Sequence, residues 1–279
     1  MPDRPRGPTS RGALTLLAVV LLSACAAPRP PPDSHVPPFA RIPYEPISRT
    51  AVAAIALREW RLFGSTVDDN PPGSYRAATP EDKPERQQGL WQRVGEYWWL
   101  AMNAGDPDAG WTGKHDANGI AFPASEDGTY AWSAAFVSYV MRIAGAGARF
   151  PYSASHSDYI DIAADMAAGR TSGWLVIAER PEAYAPQPGD LICLGRGSAR
   201  ELRYGDLPAG HFPGHCDIVV DTSAPGQIGV VGGNVDDAVT LKHVPVTPDG
   251  KLATPDGQVV DTRYPWMVVL RLNVGVPVA

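Results

Sequence analysis

The sequence is short of cysteine, of long apolar runs and of excess positive charge, and each shortage excludes something. There are three Cys residues in 279. His211 and His215 with Cys216 resemble a ligand cluster, but no second pair sits at a workable spacing, so no metal site is expected. After residue 25 no apolar stretch reaches the roughly 20 residues of a membrane-spanning helix. Val52–Leu62 and Trp174–Ala178 are apolar, but short or broken by charge. Lys and Arg number 24 against 30 Asp and Glu. The net charge of −6 leaves no basic footprint, and nucleic acid is not an expected partner. No internal repeat is present. What remains, 44% hydrophobic and 19% charged, is the composition of a globular protein.

The N-terminus carries a different signal. Arg4, Arg6 and Arg11 precede an apolar run from Ala13 to Leu22, followed by Ser23-Ala24-Cys25. That is a basic n-region, a short h-region and a small-residue cleavage site. Leu22-Ser23-Ala24-Cys25 resembles a lipobox, where bacteria acylate a Cys and cut before it. The expectation is an exported lipoprotein whose signal, residues 1–24, is removed and whose bilayer anchor is acylated Cys25; more than one acyl chain suffices for stable anchoring. Ala26, rather than Asp, resembles the pattern sorted to the outer membrane facing the periplasm. Residues 26–43 are Pro-rich and read as a tether, on the order of 50 Å long at about 3.1 Å per residue if polyproline-like.

Beyond the tether, helices come first and strands follow. Ser48 caps a first helix with Val52, Ile55, Ala56, Leu57 and Trp60 along it, ended near Phe63 by Gly64. Pro84 suits the first turn of a second helix, in which Leu90, Trp91, Val94, Trp98, Ala101 and Met102 keep helical spacing. Its Trp cluster reads as core. Residues 104–130 are loop-like. Two more helices are expected, from about Ser133 to Ala144 with Gly145 as the stop, and from about Ser157 to Ala168 with Gly169 as the stop. Short β-type runs then appear at Trp174–Ala178, Leu191–Leu194, Asp217–Asp221, Ile228–Val231, Thr240–Val244 and Met267–Leu272. The fold class expected is α+β with a largely antiparallel sheet. The division expected is a helical extension over 44–127 and an α+β domain over 128–279.

Three segments carry candidate chemistry: Tyr130–Met141, Pro188–Cys193 followed by Gly214–Val220, and Val230–Asn234. Ser133 lies at the mouth of an apolar helix, where free N–H groups and the helix dipole favour developing negative charge. His215 begins a strand, and Asn234 ends a later one. Nucleophile, base and orienter is the logic of acyl transfer. Trp132, His156, Asp158 and Tyr159 are candidate pocket walls, and Asp217 shares a strand face with His215. Cys216 points away from the face of His215, which makes it a poor nucleophile for that base. Cys193 and Cys216 are either a disulfide, which an oxidising periplasm permits, or two buried thiols.

WSAAFVSYVM resembles the nucleophile helix of the NlpC-like and CHAP cell-wall amidases and peptidases, usually W-C-A-A-F-V. PGDLIC followed by GHCDIVV is similar to that superfamily's P-G-D-L strand and its strand with the catalytic His. GGNV resembles the third-residue strand. The resemblance covers about residues 128–245 and implies a papain-like domain, with a helix packed on a small antiparallel sheet, that cuts peptide or amide bonds in peptidoglycan without a cofactor. It implies Ser133, His215 and Asn234 as the site. Two departures stand out. Ser133 replaces the usual Cys, and a hydroxyl needs a base to take its proton during attack. Gly232 stands where some members have Glu. A degenerate member that binds peptidoglycan or aids envelope assembly is therefore the alternative. An esterase would use a serine naturally, but the G-x-S-x-G elbow is absent. The combination resembles a branch of bacterial lipoproteins bearing a domain of unknown function.

Overall fold

The computed structural model describes residues 47–274, apart from 76, 103–114, 116–117, 253–255, 257 and 259–260. The signal-like segment, Cys25 and the tether lie outside the described residues. Among the described residues no helix is long and apolar enough to cross a membrane.

Helix α1 spans Arg49–Leu62, and Ser48 caps it by accepting from Ala51 N at 3.1 Å. Gly64, at φ +89°, takes the left-handed turn that stops the helix. Helix α2 spans Leu90–Ala101. It starts later than Pro84 suggests, because Pro84–Arg86 forms only a 3₁₀ turn and Gly89 has φ +90° before the helix begins. Helix α3 covers Ser133–Ile143 and α4 covers His156–Ala167, one residue earlier than the spacing suggests.

The six strands are β1 Val176–Glu179, β2 Leu191–Gly195, β3 Gly214–Asp221, β4 Gln227–Val235, β5 Ala238–Pro245 and β6 Val268–Leu272. Their order is β1-β6-β2-β3-β4-β5, and every neighbouring pair is antiparallel. The fold is α+β.

Both sheet faces are covered. Leu191, Cys193, Cys216, Ile218 and Val231 join the helices in one core; Ile192, Leu194, Val219, Val230 and Val244 form a second with Leu252, Tyr264 and Trp266. The strand pleat sorts them, since successive side chains point to opposite faces. Val52, Ala56, Val94, Tyr97 and Trp98 belong to the same core as Phe136 and Val140. Helices α1 and α2 are thus packed into the core that α3 and the sheet share. Cys193 and Cys216 sit directly opposite each other in the β2–β3 register and form a disulfide. Closing a loop of this size stabilises a fold by about 3 kcal/mol.

The helices are also joined by a charge with no access to water. Glu59 of α1 is 0% exposed and receives Arg93 Nε at 2.6 Å, Arg93 Nη2 at 2.6 Å and Tyr97 Oη at 2.8 Å from α2, with Arg58 adding a further contact. Burial favours the protonated acid, but the Arg93 and Arg58 guanidiniums and the Tyr97 hydroxyl outweigh it and hold the Glu59 pKa below its ordinary value. Glu59→Gln should therefore destabilise the fold by about 3–5 kcal/mol, the usual result of breaking a buried pair from one side. Urea unfolding checks this, and a loss below 1 kcal/mol would show that the helices do not depend on the charge.

Candidate active site at the edge of the sheet

Ser133 is the first residue of α3, directly after Trp132, so its backbone neighbours include N–H groups with no intrahelical acceptor. Phe136 of the same helix fixes how closely α3 approaches the sheet. A Cβ on Gly233 would lie 2.5 Å from Phe136 Cβ, so only glycine admits this contact. Gly232 makes room on the other face, where an added Cβ would lie 1.9 Å from Asp217 Oδ1. The Gly-Gly pair before Asn234 thus seats a helix on one side and a carboxylate on the other.

The hydrogen bonds differ from those expected. Ser133 Oγ lies 2.7 Å from His156 Nε2, at the start of α4. No hydrogen bond joins Ser133 to His215 among the described residues. The reason is the pleat: Gly214, Cys216 and Ile218 face the helices, so His215 faces the other way with Asp217 and Val219. Because His215 is only the second residue of β3, its ring still approaches His156 at the strand end, with centroids 5.5 Å apart. Asp217 Oδ1 lies 2.8 Å from His215 Nε2, and Lys242 Nζ lies 2.6 Å from the other oxygen as an ion pair. All of these side chains are buried.

Tautomers follow from the partners. Ionised Asp217 can only accept, so His215 carries its proton on Nε2 and its lone pair on Nδ1. Nδ1 is buried without a hydrogen-bond partner among the described residues. His156 Nδ1 pairs with Tyr159 Oη. His156 therefore bridges the Tyr159 and Ser133 hydroxyls, donating from one ring nitrogen and accepting at the other. His156 is then the group that holds the serine, and His215 is the imidazole with a free lone pair.

The charges agree with these assignments. Burial pushes the His156 pKa well below its ordinary value, and His215 adds to the effect. Burial also lowers His215; Asp217 opposes this, while Lys242 and Arg196 add to it. Burial opposes ionisation of Asp217, yet the Lys242 ammonium and then His215 hold its carboxyl well below the usual carboxylate range.

A groove of about 520 Å³ runs along this edge of the sheet. His215 and Asn234 both line it, together with Asp68, Asp236, Lys242, Arg196 and Arg200. Asn234 has φ +56° at the end of β4 and makes no hydrogen bond to His215 among the described residues; the side chain that contacts that imidazole is Asp217. Burial and the neighbouring Asp68 push the Asp236 carboxyl up to about 7. The expected pocket walls are dispersed. Trp132 is fully buried, stacks on Phe63 and donates to Glu85 Oε2 at 2.6 Å, so it belongs to the core. Tyr159 is buried beneath His156. Asp158 accepts from Ser153 Oγ at 2.7 Å and lines a separate cavity with Tyr152 and Trp174. No group of metal-ligating side chains occurs among the described residues.

Lys242 was not singled out in the sequence. Its signal was present, because Thr240, Lys242 and Val244 share one strand face and Val244 is core. A lysine on such a face implies a buried partner.

Residues 85–272 match a family described as an uncharacterized protein conserved in bacteria (DUF2272). The chain belongs to this family. The match begins at Glu85, so the family region takes in α2 together with the sheet and the candidate site except the groove residues Asp68, Pro71, Pro72 and Gly73. No curated protein and no solved structure matches the chain.

The buried histidines make stability depend on pH. Both folded pKa values are depressed, so the unfolded chain binds more protons just below the ordinary value of 6.5. The histidine contribution is then present above pH 6.5 and falls as the pH drops below it, offset in part by Asp236, whose raised folded pKa adds stability as the pH falls through about 7. The urea midpoint should decline between pH 7 and pH 5, and His156→Gln should flatten the decline. An equal slope in the variant would mean that His156 is not buried in its neutral form.

Proposed function

We propose that this chain is a bacterial envelope lipoprotein whose α+β domain hydrolyses peptide or amide bonds in peptidoglycan, with Ser133 as nucleophile. One observation carries the reading: Ser133 Oγ sits at a helix N-terminus, held by His156 at 2.7 Å, beside a His215 whose tautomer Asp217 fixes and whose Nδ1 is left free. The resemblance of the nucleophile helix and the His215 strand to the NlpC-like and CHAP enzymes supports the substrate class. The Cys193–Cys216 disulfide fits an oxidising compartment, in line with the signal-like segment and Cys25.

In this reading Ser133 Oγ adds to the carbonyl carbon, and its proton passes to His215 Nδ1 through one water. Asp217 compensates the imidazolium, which Asn234 has no charge to do. Free N–H groups in the first turn of α3 receive the oxyanion. The C–N bond then breaks as the leaving nitrogen takes the proton from His215. Water repeats the sequence to release the acid and restore Ser133.

A second reading is favoured by the absence of a Ser133–His215 hydrogen bond and by serine in place of cysteine. It is a groove that binds peptidoglycan peptides without turnover and serves envelope assembly.

The full chain incubated with peptidoglycan fragments and a fluorophosphonate probe separates the two. Cleavage with labelling at Ser133, both lost in Ser133→Ala at unchanged thermal stability, is the expected result. An inert wild type rejects the hydrolase. If Ser133→Cys then gains activity, the site is intact and only its nucleophile has been lost.

A further inference from the structure

The groove has two ends of unlike charge, and the topology fixes which is which. Strands β2 and β4 are both antiparallel to β3, so their C-terminal ends lie at the same edge of the sheet. Arg196 follows the end of β2, Asp236 follows the end of β4, and His215 lies between them at the start of β3. Neighbouring strands are about 4.8 Å apart, so the two ends are on the order of 10 Å from each other. A ligand running from one to the other passes His215.

Four cationic side chains line this groove: Arg196, Arg200, Lys242 and Arg263. Two of them are neutralised. Lys242 pairs with Asp217 at 2.6 Å, and Arg263 pairs with Asp261 at 3.0 Å. Arg196 and Arg200 are exposed, and neither has a carboxylate partner among the described residues. At the far end Asp68 and Asp236 lie together, which repels an anion. An anionic group on a bound ligand is therefore accepted at the β2 end and refused at the β4–β5 end.

We infer that Arg196 and Arg200 read a carboxylate on the bound peptide, one or two residues from the bond that lies over His215. The inference rests on the reading that the groove takes peptides. The register follows from lengths: one strand spacing is about 4.8 Å, and an extended peptide advances about 3.3 Å per residue. Guanidinium groups suit the task because they bind carboxylates in a planar, two-pronged geometry. Arg196 has a second consequence, since its charge disfavours protonation of both His156 and His215. A bound carboxylate cancels that charge and makes the imidazoles more basic when substrate is in place.

The test separates recognition from turnover. Full-length Ser133→Ala protein is titrated calorimetrically with stem peptides released from peptidoglycan, either native or with their carboxylates converted to methylamides. Native peptides should bind about 10-fold more tightly than the blocked ones, as expected of charge-assisted hydrogen bonds. Adding Arg196→Gln and Arg200→Gln should remove the difference, and Arg→Lys at both positions should restore part of it. With Ser133 intact, Arg196→Gln should also move the acid limb of kcat/KM to higher pH, a shift that a merely structural arginine would not cause. Equal affinity for the two peptides, no binding of either, or a preference that survives the double Gln change overturns the inference. Cleavage without a carboxylate preference leaves the hydrolase standing and removes this inference. A preference without cleavage does the reverse.

Discussion

The Glu59 carboxylate is the contact on which the helical layer depends. It is carried by α1, bound by Arg93 and Tyr97 of α2, and adjoined by Tyr139 of α3, whose hydroxyl also meets Arg58 and Arg93. A buried charge of this kind is not a large net source of stability, because desolvation offsets most of the attraction. It acts through geometry. Three helices must present their donors to one point, or the charge is left bare. Helix α3 is thereby held in one position over β4, at the depth that Gly233 permits, and Ser133 is carried to the sheet edge.

At that edge the chemistry is organised by the pleat. Residues 214–218 alternate between a face that packs on helices and a face that does not. Cys216 takes the helical face and is bonded to Cys193; His215 and Asp217 take the other and meet Lys242. The two histidines reach one another only because His215 stands near the strand end. They are not equivalent. His156 has both ring nitrogens engaged, by Tyr159 and Ser133, whereas Asp217 leaves His215 with a lone pair that has no partner among the described residues. A buried acceptor without a partner costs free energy, and such costs persist where a site uses them.

Much of the fold was readable from particular residues. Ser48 and Gly64 marked α1, Gly145 and Gly169 closed the helices before them, and the six β-type runs became the six strands, some longer by several residues. The order of helices before strands was enough for the fold class. The start of α2 was missed because Pro84 permits a helix without requiring one. The place of β6 between β1 and β2 was not legible, since no local pattern records which strands pair.

The sequence by itself determined the character of the site: an apolar helix opening on Ser133, a strand with His215 and Asp217 on one face, and two glycines before Asn234. These follow from period and residue type, which act over a few positions. Only the tertiary structure decided the partners. It gave Ser133 to His156, Asp217 to His215 and Lys242, and left Arg196 and Arg200 without carboxylate partners among the described residues. Hydrogen bonds and ion pairs form over about 3 Å between residues far apart in the chain, and that proximity comes from packing rather than from spacing.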